Sequence, residues 1–272
     1  MLARLPVVVA VMLALCSVVS AQTSRSIRDI NSINGFDEMV NGFRETMAGA
    51  LDRVPGKKPR GLSDAWSVAM ETSFNSRDMV REMEAEVGPR LTPEEIGQLY
   101  EFFSSDLGLG ISELEIDASG PELATIKATE GSAIYSGLAS KDPERLALYN
   151  RLLDGVDAVG MGEALGLNVS YALVAGMVGA AKRPMSDEQI AALVKKSTIN
   201  LRQAITDALN SSTAYVYREL SLVELGEYVA FLETPAARKY YELMMTALDR
   251  IMTKESRQFG NSIMVALGRR KA

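Results

Sequence analysis

Residues Leu91–Glu115 and Leu220–Met244 carry one pattern twice, at an offset of 129 positions. At that offset Leu91 matches Leu220, Glu95 matches Glu224, Gly97 matches Gly226, Phe102 matches Phe231, Glu113 matches Glu242 and Leu114 matches Leu243. Six identities in 25 positions exceed the roughly one or two that chance supplies, and such a self-match constrains architecture before any single motif is read. Each unit reads as a short helix, a corner and a second helix. Thr92-Pro93-Glu94-Glu95 and Ser221-Leu222-Val223-Glu224 are capping boxes, in which Thr92 or Ser221 caps the helix and Glu95 or Glu224 reaches back to the cap. The stripes then break at Ser104-Ser105-Asp106 and at Glu233-Thr234-Pro235 and restart, since proline disfavours helix in the residue before it. The first corner has Asp106 where the second has Pro235, which predicts a less sharp bend there. The expected fold is all-α: two divergent copies of a helix-corner-helix unit packed as a multi-helix bundle, with halves spanning 22–157 and 158–272.

Helix starts recur elsewhere. Ser186-Asp187-Glu188-Gln189 is another capping box, and Asp142-Pro143 another cap followed by proline. Ile96, Leu99, Tyr100, Phe103 and Leu107 make one apolar stripe, and Leu225, Tyr228, Val229 and Leu232 its counterpart. The last helix is expected from Pro235 to about Leu267. Ala164–Ala181 is the most apolar stretch after the N-terminus, with Ala172 and Gly176 at the spacing of close helix contact. Its expected role is a central helix buried on all sides, ahead of a membrane-inserting one. Gly160, Gly162 and Gly166 lack the spacing and the strand context of a dinucleotide loop and read as a flexible entry into that helix. Pro55–Gly61 and Lys182-Arg183-Pro184 read as connections.

The N-terminus has the form of a secretory leader. Arg4 is its positive end, Leu5–Leu15 its apolar run and Val19-Ser20-Ala21 its small-residue cleavage pattern, so residues 1–21 are expected to be removed. Leu15 stands before Cys16 where lipid modification wants a small residue. Cleavage would take the chain's single cysteine and one of its 29 basic residues, leave all 35 acidic ones, and place the mature protein outside the cytoplasm, periplasmic or secreted. A fold without disulfides must then rest on its core. The first roughly 15 residues after the cleavage point are polar and expected to be disordered. The acidic balance disfavours nucleic acid and anionic membrane surfaces as partners.

The chain has no histidine. That removes the usual general base, the usual zinc and copper ligand, and any histidine-activated nucleophile. No nucleophile-elbow or Ser-x-x-Lys motif is present. No cofactor and no metal site are expected. The remaining candidates for chemistry are carboxylates: Glu113, Glu115 and Asp117 form an acidic cluster, with Glu242 matching Glu113. As a pair they would serve a hydrolase, provided they converge in one pocket with at least one raised pKa. Residues two apart do not share a helix face, which favours a solvated surface instead. Met244, Met245, Met252 and Met264 suit either a pliable groove or a core, and packing is the commoner use. Trp66 and Tyr240-Tyr241 read as packing residues.

The stretch from Leu220 to Lys239 resembles a family of exported bacterial proteins, domain of unknown function 2059. The resemblance is carried by Phe231, Thr234, Pro235 and Ala237: an aromatic near the end of a capped helix, a corner, then a small residue. Gly108 in the first unit keeps the glycine common at that last position in the family. The resemblance implies an exported, all-helical protein and brings no activity, cofactor or catalytic residue with it. The functional expectation is a non-catalytic protein that binds a protein partner or an amphiphilic ligand in a groove between helices. A carboxylate-dependent hydrolase and a membrane-associated protein are the alternatives.

Overall fold

The computed structural model describes residues 25–53, 60–179 and 185–269. Residues 1–24, 54–59, 180–184 and those beyond Arg269 lie outside them, and with them the expected leader, most of the expected connection Pro55–Gly61 and the expected connection Lys182-Arg183-Pro184. The described residues are helical and contain no strand, as the caps and the apolar spacing predict. In chain order, α1 is Ile27–Asn31, α2 Phe36–Ala48, α3 Ala50–Arg53, α4 Leu62–Thr72 and α5 Ser76–Val87. Next come α6 Pro93–Phe103 and α7 Asp106–Asp117; a short α8, Ala124–Ile126, passes through a π-helical turn at Lys127–Gly131 into α9, Ser132–Lys141. The rest are α10 Pro143–Gly155, α11 Ala158–Gly179, α12 Asp187–Ser197, α13 Leu201–Val216, α14 Leu222–Leu232 and α15 Pro235–Arg269.

The caps form as their spacing requires. Glu95 N–H donates to Thr92 Oγ1 at 3.2 Å while Thr92 N–H donates to Glu95 Oε2 at 2.8 Å. Ser221 and Glu224 make the same pair of bonds at the same distances. Both corners also use one device. Ser105 Oγ accepts from Gly108 N–H at 3.1 Å and donates to Phe102 O at 2.7 Å; Thr234 Oγ1 accepts from Ala237 N–H at 3.2 Å and donates to Phe231 O at 2.7 Å. The hydroxyl thus holds the last carbonyl of one helix and the first free amide of the next. At the first corner a Cβ on Gly108 would sit 2.0 Å from Phe102 O, so the chain there closes too tightly for a side chain.

Two hydrophobic clusters fill the interior. One gathers Ile30, Phe74, Met83, Leu99, Tyr240, Ile251 and Phe259; the other gathers Ile111, Tyr149, Leu152, Leu225, Val229 and Leu232. Each draws on both sides of residue 157, and Phe102, Phe231 and Tyr241 pack against both. The ring of Trp66 meets Phe259 edge-on at 4.7 Å and its indole N–H donates to Met47 O, a packing role. α15, 35 residues and about 50 Å long, runs beside α4, α5, α6 and α11.

Three expectations are corrected. The segment expected to be disordered is helical from Ile27: Ser26 and Asp29 form a capping box on α1, and Ile27 and Ile30 are buried in the first cluster. Gly160, Gly162 and Gly166 are not a loop, because α11 begins at Ala158 and contains them all. Nor is α11 enclosed on every side. Ala172 and Gly176 are its buried residues, and most of the others are half-buried.

The burial of Ala172 and Gly176 marks where α11 meets α15. A Cβ on Gly176 would lie 2.1 Å from Arg257 O, and one on Gly260 would lie 2.3 Å from Leu173 O. The two backbones touch through these glycines. Gly97 and Gly226 differ, since an added Cβ there meets nothing within 4 Å. Helix propensity favours alanine over glycine by about 1 kcal/mol everywhere, while overpacking costs about 1–3 kcal/mol. Gly176→Ala and Gly260→Ala are therefore expected to lower unfolding free energy by roughly 1–2 kcal/mol net, and Gly97→Ala and Gly226→Ala to raise it by up to about 1 kcal/mol. Urea denaturation of the four variants checks the opposite signs.

Candidate ligand-binding site

Along α7 and its C-cap, Leu107, Ile111, Glu115 and Ala118 fall at the three- and four-residue steps of one helix face, beside the buried Gly108 and Ser112. Glu115 thus stands on an otherwise apolar stripe. Glu113 and Asp117, two residues to either side, are rotated outward and exposed. Glu242, the match of Glu113, is also exposed. The structure does not bring the acidic cluster together, and the pocket needed by the hydrolase expectation holds Glu115 alone of the three.

Glu115 is held by tyrosines from two other helices. Tyr217, at the end of α13, donates its hydroxyl to Glu115 Oε1 at 2.6 Å, and Tyr228 of α14 donates to the same oxygen at 3.0 Å. Both bonds fall on Oε1. Oε2 has no hydrogen-bond partner among the described residues, although it is not sealed from open space. Burial pushes the Glu115 carboxyl above the usual carboxylate range, and the two tyrosine bonds pull back less strongly. Burial and the nearby carboxylate raise Tyr217, Tyr228 and Tyr241 in turn.

Two grooves meet at this carboxyl. The upper one, of about 250 Å³, has walls of Phe36, Met39, Ile116, Met244, Met245 and Leu248, with Asn34 and Tyr240 at its side. The lower one, of about 330 Å³, is lined by Lys127, Leu152, Val156, Leu209, Tyr217 and Leu232. Glu115, Ser119 and Tyr241 line both, so they form the partition. Met245 accordingly lines the groove, Met244 lines it and is also part of the first core cluster, and Met252 is buried in that core.

A larger hollow of about 910 Å³ lies between α2 and α5 but is internally neutralised. Arg28 pairs there with Asp37 at 2.7 Å and Glu84 at 3.0 Å, and Arg81 with Asp78 at 2.8 Å. It is polar and open, Arg44, Arg77 and Glu71 also line it, and its four basic and four acidic residues balance in charge without converging on one group. The smaller grooves have what it lacks: apolar walls converging on a desolvated ionisable group.

The capping and corner residues Thr92, Glu95, Ser221, Glu224, Thr234 and Pro235 shape the helices and lie outside both grooves. Glu95 also accepts an ion-pair bond from Lys239 at 2.8 Å, tying α6 to α15. Phe102 and Phe231 stack on each other with centroids 3.6 Å apart and planes within 5°. Reading the sequence missed Tyr217 and took Tyr228 and Tyr241 as packing residues. The available signal was the stripe on α7: a glutamate four residues after Ile111 and three before Ala118 faces the core and requires donors.

No family model, curated protein or solved structure matches this chain.

The raised carboxyl has a consequence for stability. A glutamate whose folded pKa lies above its unfolded one holds its proton more tightly when folded, so its contribution is present below the ordinary glutamate range and lost as pH rises through the folded value. Glu115→Gln keeps an acceptor for the tyrosines and removes the titration. The variant is expected to match wild type at low pH and to gain on it steadily toward neutral and alkaline pH. Thermal unfolding midpoints across that range check the sign.

Proposed function

We propose that this is an exported, non-catalytic binding protein that takes an amphiphilic small molecule in the grooves around Glu115. The observation that carries the reading is the upper groove, whose methionine- and phenylalanine-lined wall runs onto a half-buried carboxyl with one oxygen unpartnered among the described residues. Flexible methionines suit a surface that adapts to an alkyl chain. A hydrolase pair would need a second carboxyl beside Glu115, and the charged residues lining the two grooves are Glu115 and Lys127.

Export rests on the leader pattern of residues 1–21 and on a mature chain without cysteine. We infer further that α6–α7 and α14–α15 are divergent copies of one unit. Their support is the shared capping box, the shared hydroxyl corner and the stacking of the matched residues Phe102 and Phe231. Kinship with the exported family of domain of unknown function 2059 is supported by the short stretch around Phe231, Thr234 and Pro235, and by nothing beyond it.

N-phenyl-1-naphthylamine, whose fluorescence rises in apolar surroundings, tests the groove in the mature protein. Saturable binding is expected. Met245→Glu places a charge against the alkyl path and is expected to weaken binding about tenfold or more, since burying one methionine-sized surface is worth roughly 1.5–3 kcal/mol. An unsaturable signal, or one indifferent to Met245→Glu in a variant with wild-type circular dichroism, would count against the site.

A further inference from the structure

The helix α12 packs on α11 through one narrow side, where Ile190 and Val194, one turn apart, are buried. On its opposite side Glu188, Ala192 and Lys195 follow each other at four- and three-residue steps. All three are exposed, as are Ala191 and Lys196. Apolar side chains lie in solvent beside them. Leu193 is 47% exposed, and Ile199, just past the helix, is 82% exposed, the highest value among the large apolar residues described. An open hollow of about 760 Å³ runs along this side, with Leu167 and Tyr171 of α11 on one wall and Ala191, Ala192 and Ile199 on the other. Apolar surface rimmed by polar groups in this way marks an interaction site.

Charge selects the occupant. The first turn of α12 is acidic, with Asp187 and Glu188, and its last turn is basic, with Lys195 and Lys196. Glu188, Lys195 and Lys196 make no ion pair among the described residues. Midway between Glu188 and the two lysines stand Ala191 and Ala192, the smallest side chains on this side. A helix so arranged complements itself when a copy lies against it in the opposite direction. Each acidic end then meets a basic end, and the alanines at the crossing let the two axes approach to about 8 Å. We propose that two copies of this chain associate through α12, antiparallel about a two-fold axis beside Ala191 and Ala192, with Leu193 and Ile199 covered at the edge of the contact. An anionic bilayer fits this face less well, since it would attract Lys195 and Lys196 but repel Asp187 and Glu188. α12 is 11 residues long, about 16 Å, and a contact of that length and one helix diameter in width is smaller than the roughly 800 Å² per partner of a standard stable interface. The association is therefore reversible, with a Kd on the order of tens of micromolar.

Sedimentation velocity of the mature protein from about 1 to about 500 μM, a range that brackets this Kd, tests the pairing. A monomer-dimer equilibrium is expected, and salt is expected to weaken it because charge pairs hold it. Lys195→Glu combined with Lys196→Glu sets acidic ends against each other, and Glu188→Lys sets basic ends against each other. The two-fold axis counts every change twice. Each variant is expected to dimerise at least about tenfold more weakly than wild type, with an unchanged circular dichroism spectrum because all three positions are exposed. Mixed in equal amounts, the two variants are expected to pair with each other at close to wild-type strength, since the reversed ends again meet opposite charges. A wild-type protein that stays monomeric throughout the range overturns the proposal. A dimer that neither variant weakens, or that mixing them does not restore, overturns it too. A monomer that instead binds phosphatidylglycerol vesicles, and loses them on Lys195→Glu with Lys196→Glu, assigns the face to a membrane and rejects the dimer. None of these outcomes bears on the grooves around Glu115.

Discussion

Phe102 lies flat on Phe231, and both hydrophobic clusters end on that stack. A contact of two rings is worth only about 0.5–1.5 kcal/mol beyond the area it buries, yet its position gives it leverage. It joins the end of α6 to the end of α14, just before the two corners where the chain turns into α7 and α15. Tyr228 lies parallel to Phe102 at 5.9 Å, Phe103 meets Phe231 edge-on at 5.4 Å, and Tyr217 meets Tyr228 at 5.8 Å. The aromatic seam so formed carries the hydroxyls that reach Glu115. The stack that unites the two clusters therefore also places the donors for Glu115, the one carboxyl lining the grooves.

The remaining contacts divide by strength. The ladder of Arg250 and Lys254 on Glu82 and Glu86 ties α5 to α15 at the surface, where such pairs contribute little each. The crossing of α11 over α15 at Gly176 and Gly260 is steric and admits no substitute for hydrogen at either position. Buried Glu255 accepts the Phe74 amide at 2.7 Å, at a residue held in the left-handed region with φ of 57°. That bond offsets local strain and keeps the Phe74 ring, fully buried, against Phe43 and Phe259.

Much of this was legible in the sequence because it is local. Thr92, Ser221 and Ser186 announce their helices through side chains that reach only three residues, and both corners are signalled by a hydroxyl or proline at the break. Ala172 and Gly176 were readable as a close contact from their spacing alone. What failed was non-local. The outer face of α11 is left half-open by what does not pack there, which composition cannot reveal. The acidic cluster on α7 read as solvated because two of its three members are; the third differs only in which way the helix turns it, and Tyr217 and Tyr228 lie more than a hundred residues away. A carboxyl held by two tyrosines is a property of three helices, and the sequence of one cannot declare it.

The account turns on the state of that carboxyl. Infrared difference spectroscopy between wild type and Glu115→Gln, followed as a function of pH, observes the protonated C=O stretch of this single group. A protonated-carboxyl band that persists above the ordinary glutamate range of about 4.3 and vanishes in the variant is the expected result. A band that disappears within that ordinary range would contradict it.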